Sequence, residues 1–218
     1  MTPVPQSPPA LLSVRDLHLS VPGRTLLTGW SAEIGPGLDW ITGEEGCGKS
    51  LLLRRLAGDD PMAGGSLRLA AGSADPLEAV RDTAAWRHHV FLPDARDPSL
   101  DALTARQCWD EWARRHGGFD ADGVADLVQD FGLGPHVDKE MFRLSTGTRR
   151  KVGLVAAFAS AALVTLLDDP FAALDRASAD ALLDNLEAAA THPRRAWVVA
   201  VHEVPAELPG ARAWRLPG

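Results

Sequence analysis

A glycine-rich segment followed by a lysine and a serine is the strongest chemical signal in this sequence. Residues 43–50 read Gly-Glu-Glu-Gly-Cys-Gly-Lys-Ser, which matches the phosphate-loop pattern G-x-x-x-x-G-K-[ST]. In this pattern backbone N–H groups surround phosphate oxygens, the lysine contacts the outer phosphates, and the serine hydroxyl can bind Mg²⁺. The predicted nucleotide-binding residues are Gly43, Glu44, Glu45, Gly46, Cys47, Gly48, Lys49, Ser50 and Leu51. We expect the two glutamate side chains to point to solvent.

A carboxylate at the end of an apolar strand is the expected partner of this loop. Residues 163–167 are apolar except for one threonine, and Asp168 follows them. An aspartate after a buried strand more often caps a helix, but in phosphate-loop NTPases such a residue holds Mg²⁺ at the end of a neighbouring strand. In combination with the loop, Ser50 and Asp168 are therefore candidate Mg²⁺ ligands.

Three further motifs follow in a fixed order. Residues 144–148 read Leu-Ser-Thr-Gly-Thr, residues 168–175 read Asp-Asp-Pro-Phe-Ala-Ala-Leu-Asp, and His202 follows an apolar run. In this order they resemble the signature motif, the Walker B and D-loop segment, and the switch histidine of ATP-binding cassette (ABC) nucleotide-binding domains. The resemblance extends from Leu11 to the C-terminus. Taken alone, the Leu-Ser-Thr-Gly-Thr segment also fits the capped start of a helix.

The resemblance implies a fold and a set of partners. The fold would be α/β, with a RecA-like P-loop NTPase core, an N-terminal antiparallel β subdomain and a helical subdomain at about residues 98–161. ATP and Mg²⁺ would bind between two cassettes arranged head to tail, with Ser145 and the N–H of Gly147 contacting the γ-phosphate held by the other cassette. The second cassette is either a copy of this chain or a different one. A separate membrane-spanning transporter subunit would hold the chain at the cytoplasmic face of the membrane.

Several positions depart from the family pattern. Asp169 stands where the family has the glutamate that polarises the attacking water, and Asp94 aligns with a glutamine that binds Mg²⁺ and water. Thr146 and Thr148 replace a glycine and a glutamine of the signature. The resemblance implies that Asp169 and His202 act in hydrolysis and that Asp94 is a third metal ligand. We expect ATP binding to be intact and ATP hydrolysis to be weak.

Two functions are compatible with these motifs. The first is an ATP-binding subunit of an ABC transporter, which binds and slowly hydrolyses MgATP to drive a membrane subunit. The alternative is a non-transporting or catalytically weak ABC module, in which ATP binding serves regulation or assembly; Asp169 and Asp94 favour this alternative. An ABC ATPase of DNA repair or translation is disfavoured, because the sequence shows no second cassette, coiled-coil insertion or basic tail.

The loop requires a strand before it and a helix after it. Residues 38–42 predict that strand, and residues 49–57 predict the helix, with Gly58 as its C-terminal cap. Further strands are predicted at residues 11–21, 26–34, 66–70, 88–92, 163–167, 196–201 and 211–216, and further helices at residues 102–116, 122–131, 145–161 and 176–190. This alternation predicts a mostly parallel sheet with helices on both faces. The proline-rich residues 1–10 predict a short disordered lead-in.

Composition limits the remaining function classes. The chain has 218 residues, 45% hydrophobic and 23% charged, which is enough for one domain with a substantial core. The net charge of −7 disfavours a nucleic-acid partner. The longest uncharged run, residues 152–167, is shorter than the roughly 20 apolar residues that a membrane span requires. Two cysteines make no disulfide framework, which fits a reducing cytoplasm.

Overall fold

The computed structural model describes residues 10–59, 64–72, 75–116, 119–208 and 212–218. Its strands are β1 (Leu12–Val21), β2 (Arg24–Ile34), β3 (Gly37–Thr42), β4 (Ser66–Leu69), β5 (Leu77–Glu78), β6 (Val90–Phe91), β7 (Val164–Asp168), β8 (Ala196–Ala200) and β9 (Arg212–Arg215). Its α-helices are α1 (Lys49–Ala57), α2 (Thr83–His89), α3 (Ala105–Arg115), α4 (Ala121–Asp130), α5 (Thr146–Ala159) and α6 (Arg176–Ala190). Short 3₁₀ helices lie at Pro98–Leu100, Gly134–His136 and Met141–Arg143.

A parallel sheet in the order β6-β7-β8-β3-β9 forms the centre of the molecule. Its central strands β7, β8 and β3 are mostly apolar and are buried on both faces. Ile41 and Val198 belong to the core that includes α1, whereas Trp40 and Val199 belong to the core that includes α5 and α6. Because both faces are covered, the strands show continuous apolar runs rather than alternation. The predicted parallel sheet with helices on both faces is confirmed.

An antiparallel sheet in the order β2-β1-β4-β5 packs over α1. The β1–β2 hairpin turns at Gly23, whose φ of 78° is in the left-handed region that glycine adopts without strain. Leu12 and Leu17 of β1 are fully buried in one core with Leu52 of α1. The antiparallel N-terminal sheet expected from the sequence is therefore present, and it covers the helix that follows the phosphate loop.

Two tryptophans of α3 hold the helical part of the chain together. Trp109 is 5% exposed and donates its indole N–H to the carbonyl oxygen of Val152 in α5, at 2.9 Å. Trp112 packs edge-on against Phe91 of β6, with ring centroids 6.0 Å apart. These contacts join α3 both to α5 and to the parallel sheet.

The sequence-based assignment of residues 88–92 to a strand is wrong. His88 and His89 end α2, and only the two residues of β6 are extended. The reason is a tertiary contact: Trp86 of α2 is fully buried and donates its indole N–H to the carbonyl oxygen of Leu56 in α1, at 3.0 Å. This contact fixes a helical turn where local β propensity predicts extension.

The predicted disordered lead-in falls almost entirely on residues 1–9, which lie outside the described residues. Among the helices that the structure describes, none combines the length and the apolar composition that crossing a bilayer requires.

Candidate nucleotide-binding site

The phosphate loop connects β3 to α1 as the motif predicts. Gly48 is the N-cap of α1 and has a φ of 104°, and Gly43 and Gly46 also have positive φ values. Gly48 contributes no capping side chain, and the first turn of α1 contains no acidic residue. The N–H groups at this helix end therefore remain available to an anion, and no carboxylate within the first turn of α1 opposes the helix dipole.

Lys49 lies against the backbone of its own loop. Its ammonium group donates hydrogen bonds to the carbonyl oxygens of Gly43, at 2.7 Å, and Glu44, at 2.8 Å. The side chains of Glu44 and Glu45 are exposed, as expected from the sequence, and Cys47 is buried at 2% exposure. The two bonds keep a positive charge within the loop, where the outer phosphates of a nucleotide would bind.

Ser50 and Asp168 meet at the start of α1, although 118 residues separate them in sequence. The Ser50 hydroxyl donates to a carboxylate oxygen of Asp168 at 3.0 Å. The expectation that Asp168 follows a strand next to β3 is wrong, because β8 lies between β3 and β7. The carboxyl ends of parallel strands share one sheet edge, so the contact still forms across the intervening strand.

The donor set suits Mg²⁺. The described residues contain no cluster of three or more histidine, cysteine or acidic side chains that could bind a metal ion without help. Mg²⁺ in nucleotide sites is typically held by one or two carboxylates together with phosphate oxygens and water, rather than by a complete protein cage. A serine hydroxyl beside an aspartate carboxylate matches this pattern.

Asp94 is connected to Asp168 through an arginine. The backbone N–H of Arg96 donates to Asp94 Oδ1 at 3.0 Å. The Arg96 guanidinium lies 3.5 Å from the same Asp94 oxygen and 3.4 Å from Asp168 Oδ2. Asp94 was predicted from the sequence as a metal ligand, whereas the role of Arg96 was not. The signal available was a cationic residue two positions after a predicted metal ligand.

The signature segment forms a capped helix start, as its simpler interpretation predicts. The Ser145 side chain accepts a hydrogen bond from the backbone N–H of Thr148 at 3.2 Å, and the two hydroxyl groups are 2.8 Å apart. Ser145 is exposed. In the part of the chain that the structure describes, neither Ser145 nor Gly147 forms a hydrogen bond to the phosphate loop of the same chain.

The D-loop packs against this helix start. Lys151 donates to an Asp175 carboxylate oxygen at 2.6 Å, and the Arg150 guanidinium bonds to the carbonyl oxygen of Ala172. Asp175 also caps α6 by accepting from the N–H of Ser178. The bond from Lys151, supported by Ser178, holds the Asp175 pKa well below its ordinary value. The signature and the D-loop therefore form one unit within the chain.

A family model described as ABC transporter matches residues 31–172. The chain belongs to this family. Two relatives named as cytochrome c biogenesis ATP-binding export protein agree with this assignment. CcmA 2 of Salmonella paratyphi A is 33% identical over 170 residues, which are 76% of this chain and 77% of the relative. CcmA of Ruegeria pomeroyi is 30% identical over 178 residues, or 81% of this chain and 78% of the relative.

Solved ABC structures have the same fold. An ATP-binding subunit of an ABC transporter superposes with a TM-score of 0.73 at 19% identity, covering 88% of this chain and 79% of that one. A Pyrococcus furiosus protein described as a putative ABC transporter ATP-binding protein also gives 0.73 at 19% identity, covering 94% and 96%. The RecA-like α/β fold is confirmed, and the chain is an ABC transporter ATP-binding subunit and an ATPase.

Asp169 and His202 lie at the same sheet edge of this ABC subunit. The backbone N–H of Asp169 donates to the carbonyl oxygen of Ala200 at 2.9 Å, and His202 follows two residues later. Both side chains are exposed. Asp169 has a φ of 46°, a conformation that aspartate tolerates better than most residues with a Cβ. The backbone after Asp168 thus directs a short carboxylate away from the core.

A cavity of about 290 Å³ separates the phosphate loop from the signature helix. The polar residues lining it include Ser50, Asp94, Arg96, Thr146, Arg150 and Asp168. It places the three candidate metal ligands around one space, with the start of α5 on another wall.

Proposed function

We propose that this subunit binds MgATP at the phosphate loop and hydrolyses it slowly at the interface of a head-to-tail cassette pair. The contact between Ser50 and Asp168 at the N-terminus of α1 carries this proposal. Ser50, Asp168 and Asp94 would hold Mg²⁺, which neutralises charge on the β- and γ-phosphate oxygens when it is bound. The triphosphate would be bound by Gly43, Glu44, Glu45, Gly46, Cys47, Gly48, Lys49, Ser50 and Leu51.

Hydrolysis would depend on Asp169 and His202. Asp169 would orient and polarise the attacking water, and His202 would contact the γ-phosphate from the end of β8. A carboxylate one methylene shorter than glutamate retracts by more than about 1 Å, and misplacements of this size can cost on the order of 10²-fold in rate. Asp94 adds a negative charge where a neutral amide is usual, which opposes the charge that develops on the transferring group.

The second cassette would complete each site. Ser145 is exposed, and the first turn of α5 contains no acidic residue. The N–H of Gly147 and the Ser145 hydroxyl would therefore favour an anion presented by another chain, as helix N-termini do. Either a copy of this chain or a different ABC subunit can supply the opposite half.

A separate membrane-spanning subunit would dock on the groove between the parallel sheet and α3, holding the chain at the cytoplasmic face of the membrane. This groove has a volume of about 1020 Å³. Its lining combines the largely buried Phe91 and Trp112 with charges of both signs, because arginines such as Arg87 and the carboxylates of Asp59 and Asp97 all line it. This mixed lining suits a helix that carries polar and charged side chains of both signs.

The alternative is an ABC module in which ATP binding alone serves regulation or assembly. The shortened Asp169 and the charged Asp94 favour it. The two functions differ in one measurable respect: a transporter subunit increases its ATP turnover when its membrane partner is added, and a regulatory module does not.

Calorimetry of ATP binding to the full chain tests the nucleotide site. We expect binding that requires Mg²⁺ and that is lost in Lys49→Ala, which removes the phosphate cation, and strongly weakened in Asp168→Asn, which removes the metal charge. Lys139→Ala and Asp138→Asn are matched controls, because these exposed residues lie outside the site. Unchanged ATP affinity in both site variants would overturn the proposal.

A further inference from the structure

Arg96 connects two side chains that we propose as Mg²⁺ ligands. Its guanidinium lies 3.5 Å from Asp94 Oδ1 and 3.4 Å from Asp168 Oδ2. The Ser50 hydroxyl donates to the other Asp168 oxygen at 3.0 Å. Both Asp168 oxygens therefore contact hydrogen-bond donors within the chain itself, and one of these donors is a full positive charge.

We propose that Arg96 sets the Mg²⁺ requirement of this subunit by acting as a placeholder cation. The guanidinium offsets part of the negative charge of Asp94 and Asp168, and it must leave their oxygens before both carboxylates can bind the metal ion. This inference rests on the proposed MgATP site. It assigns to Arg96 a positioning role that acts through the two carboxylates.

The local geometry makes such an exchange feasible. The Arg96 side chain is 61% exposed, whereas Asp168 is only 18% exposed. The backbone N–H of Arg96 donates to Asp94 Oδ1 at 3.0 Å, which fixes the backbone of Arg96 beside Asp94. The exposed guanidinium can move away from the carboxylates without breaking this backbone bond. Separations of 3.4–3.5 Å lie at the long end of charge-assisted contacts, which makes the guanidinium a weak competitor.

Charge balance gives a reason for the arrangement. Two carboxylates that face one cavity repel each other unless a cation lies between them. Arg96 supplies one positive charge to this pair. A divalent ion supplies two charges together with direct coordination, so it displaces the guanidinium once its concentration is sufficient.

The expected effect is moderate, because partly exposed ion pairs contribute little individually. Two such contacts correspond to about a fivefold change in apparent metal affinity. We expect Arg96→Gln to lower, by about fivefold, the Mg²⁺ concentration that gives half-maximal ATP binding. Arg96→Lys retains the charge and should remain close to the unmodified chain. The matched control is Arg106→Gln, whose arginine forms an exposed ion pair with Asp138 at 2.9 Å.

The experiment is a Mg²⁺ titration of ATP binding by calorimetry, repeated with Mn²⁺ and read by electron paramagnetic resonance. Tighter metal binding in Arg96→Gln, with Arg96→Lys near the unmodified value, supports the placeholder role. An unchanged metal requirement in Arg96→Gln overturns it. Weaker ATP binding at saturating Mg²⁺ also overturns it, because Arg96 would then be a phosphate ligand.

A parallel Asp168→Asn titration separates this inference from the proposed function. If Asp168→Asn raises the metal requirement while Arg96→Gln changes nothing, the MgATP site stands and the placeholder role fails. If neither variant alters metal-dependent ATP binding, the proposed site itself is wrong.

Discussion

The carbonyl oxygen of Ala173 lies so close to Gly147 that a Cβ added to this glycine would be 2.2 Å from it. Real Cβ atoms do not approach backbone oxygens this closely, so α5 and the D-loop contact each other only because residue 147 has no side chain. Ala173 itself has a φ of 60°, an uncommon conformation for alanine. The glycine of the signature is therefore required within one chain, whatever it does between chains.

We expect Gly147→Ala to destabilise the fold by about 2 kcal/mol, because the added methyl group forces the D-loop away from α5. Gly153→Ala in the same helix is the control. There an added Cβ would meet Ala95 and Pro93 at 3.5 Å or more, which is ordinary contact. That variant should gain up to about 1 kcal/mol from helix propensity. Urea unfolding measures the stability of both variants. Equal losses of stability in Gly147→Ala and Gly153→Ala would contradict the role of the Ala173 contact.

Ser145→Ala tests assembly without the strain of a change at Gly147. If ATP drives the proposed pairing, the increase in mass measured by sedimentation should be lost, because the substitution removes the hydroxyl that we propose contacts the other cassette. The substitution also removes a helix cap, at a cost of about 1 kcal/mol. Thr104→Ala removes the equivalent cap of α3 and controls for this loss. If the mass of the unmodified chain does not change when ATP is added, a homodimer is excluded and pairing with a different cassette remains.

Breaking the buried ion pair between Asp39 and Arg212 should reduce stability more than breaking an exposed ion pair. Asp39 is fully buried and accepts two bonds from the Arg212 guanidinium, at 2.8 and 2.9 Å. Arg212→Met should cost about 3 kcal/mol at pH 7, because it leaves a buried carboxylate without its partner. Arg15→Met breaks an exposed pair with Glu33 and should cost less than about 1 kcal/mol.

The same pair gives a pH dependence with a defined sign. Burial raises the Asp39 pKa, and the Arg212 guanidinium opposes that rise. Removing the arginine raises this pKa further, so the folded state takes up a proton at a higher pH than the unfolded state. The loss of unfolding free energy caused by Arg212→Met should therefore become smaller as pH falls from 7 to 5. A deficit that grows over this range would contradict the account.

Because His116 is largely buried, we expect the protein to lose stability in mild acid. Burial lowers its pKa to about 4, and its ring lies 4.2 Å from that of Phe91. Between its ordinary pKa of about 6.5 and this lowered value, the unfolded chain binds a proton that the folded chain does not. Part of the folding stability is thus present above pH 6.5 and is lost as pH falls toward 4.

His116→Phe should flatten this part of the stability profile, as measured by urea unfolding at pH 7 and pH 5. The same change at His18, whose side chain is 39% exposed, serves as the control. If the unfolding free energy of His116→Phe still falls between pH 7 and pH 5 as much as that of the unmodified chain, other groups cause the acid sensitivity.

The elements around the phosphate loop could be predicted from sequence because their signals are local. Glycines at positions 48 and 58 bracket α1, and the apolar run before Asp168 marks β7. The candidate site residues at these boundaries follow directly from the motifs. Helix α2 could not be predicted, because the burial of Trp86 against Leu56 depends on the assembled core.

The contacts of Arg96 were beyond sequence reasoning for the same reason. Its spacing from Asp94 is visible in the sequence, but its approach to Asp168, 72 residues away, depends on how the strands are arranged. The position of β8 between β3 and β7 likewise follows from sheet topology, which the sequence order leaves open.

The rate of the chemical step tests the central claim, that nucleotide binding is intact and hydrolysis is impaired at Asp169. Single-turnover hydrolysis of ATP should be compared in the unmodified chain, Asp169→Glu and Asp169→Asn, with ATP affinity measured for each. The account predicts a slow unmodified chain, a rate that rises in Asp169→Glu by up to about 10²-fold, and a further loss in Asp169→Asn, all at similar affinity. A slower rate in Asp169→Glu than in the unmodified chain would contradict it.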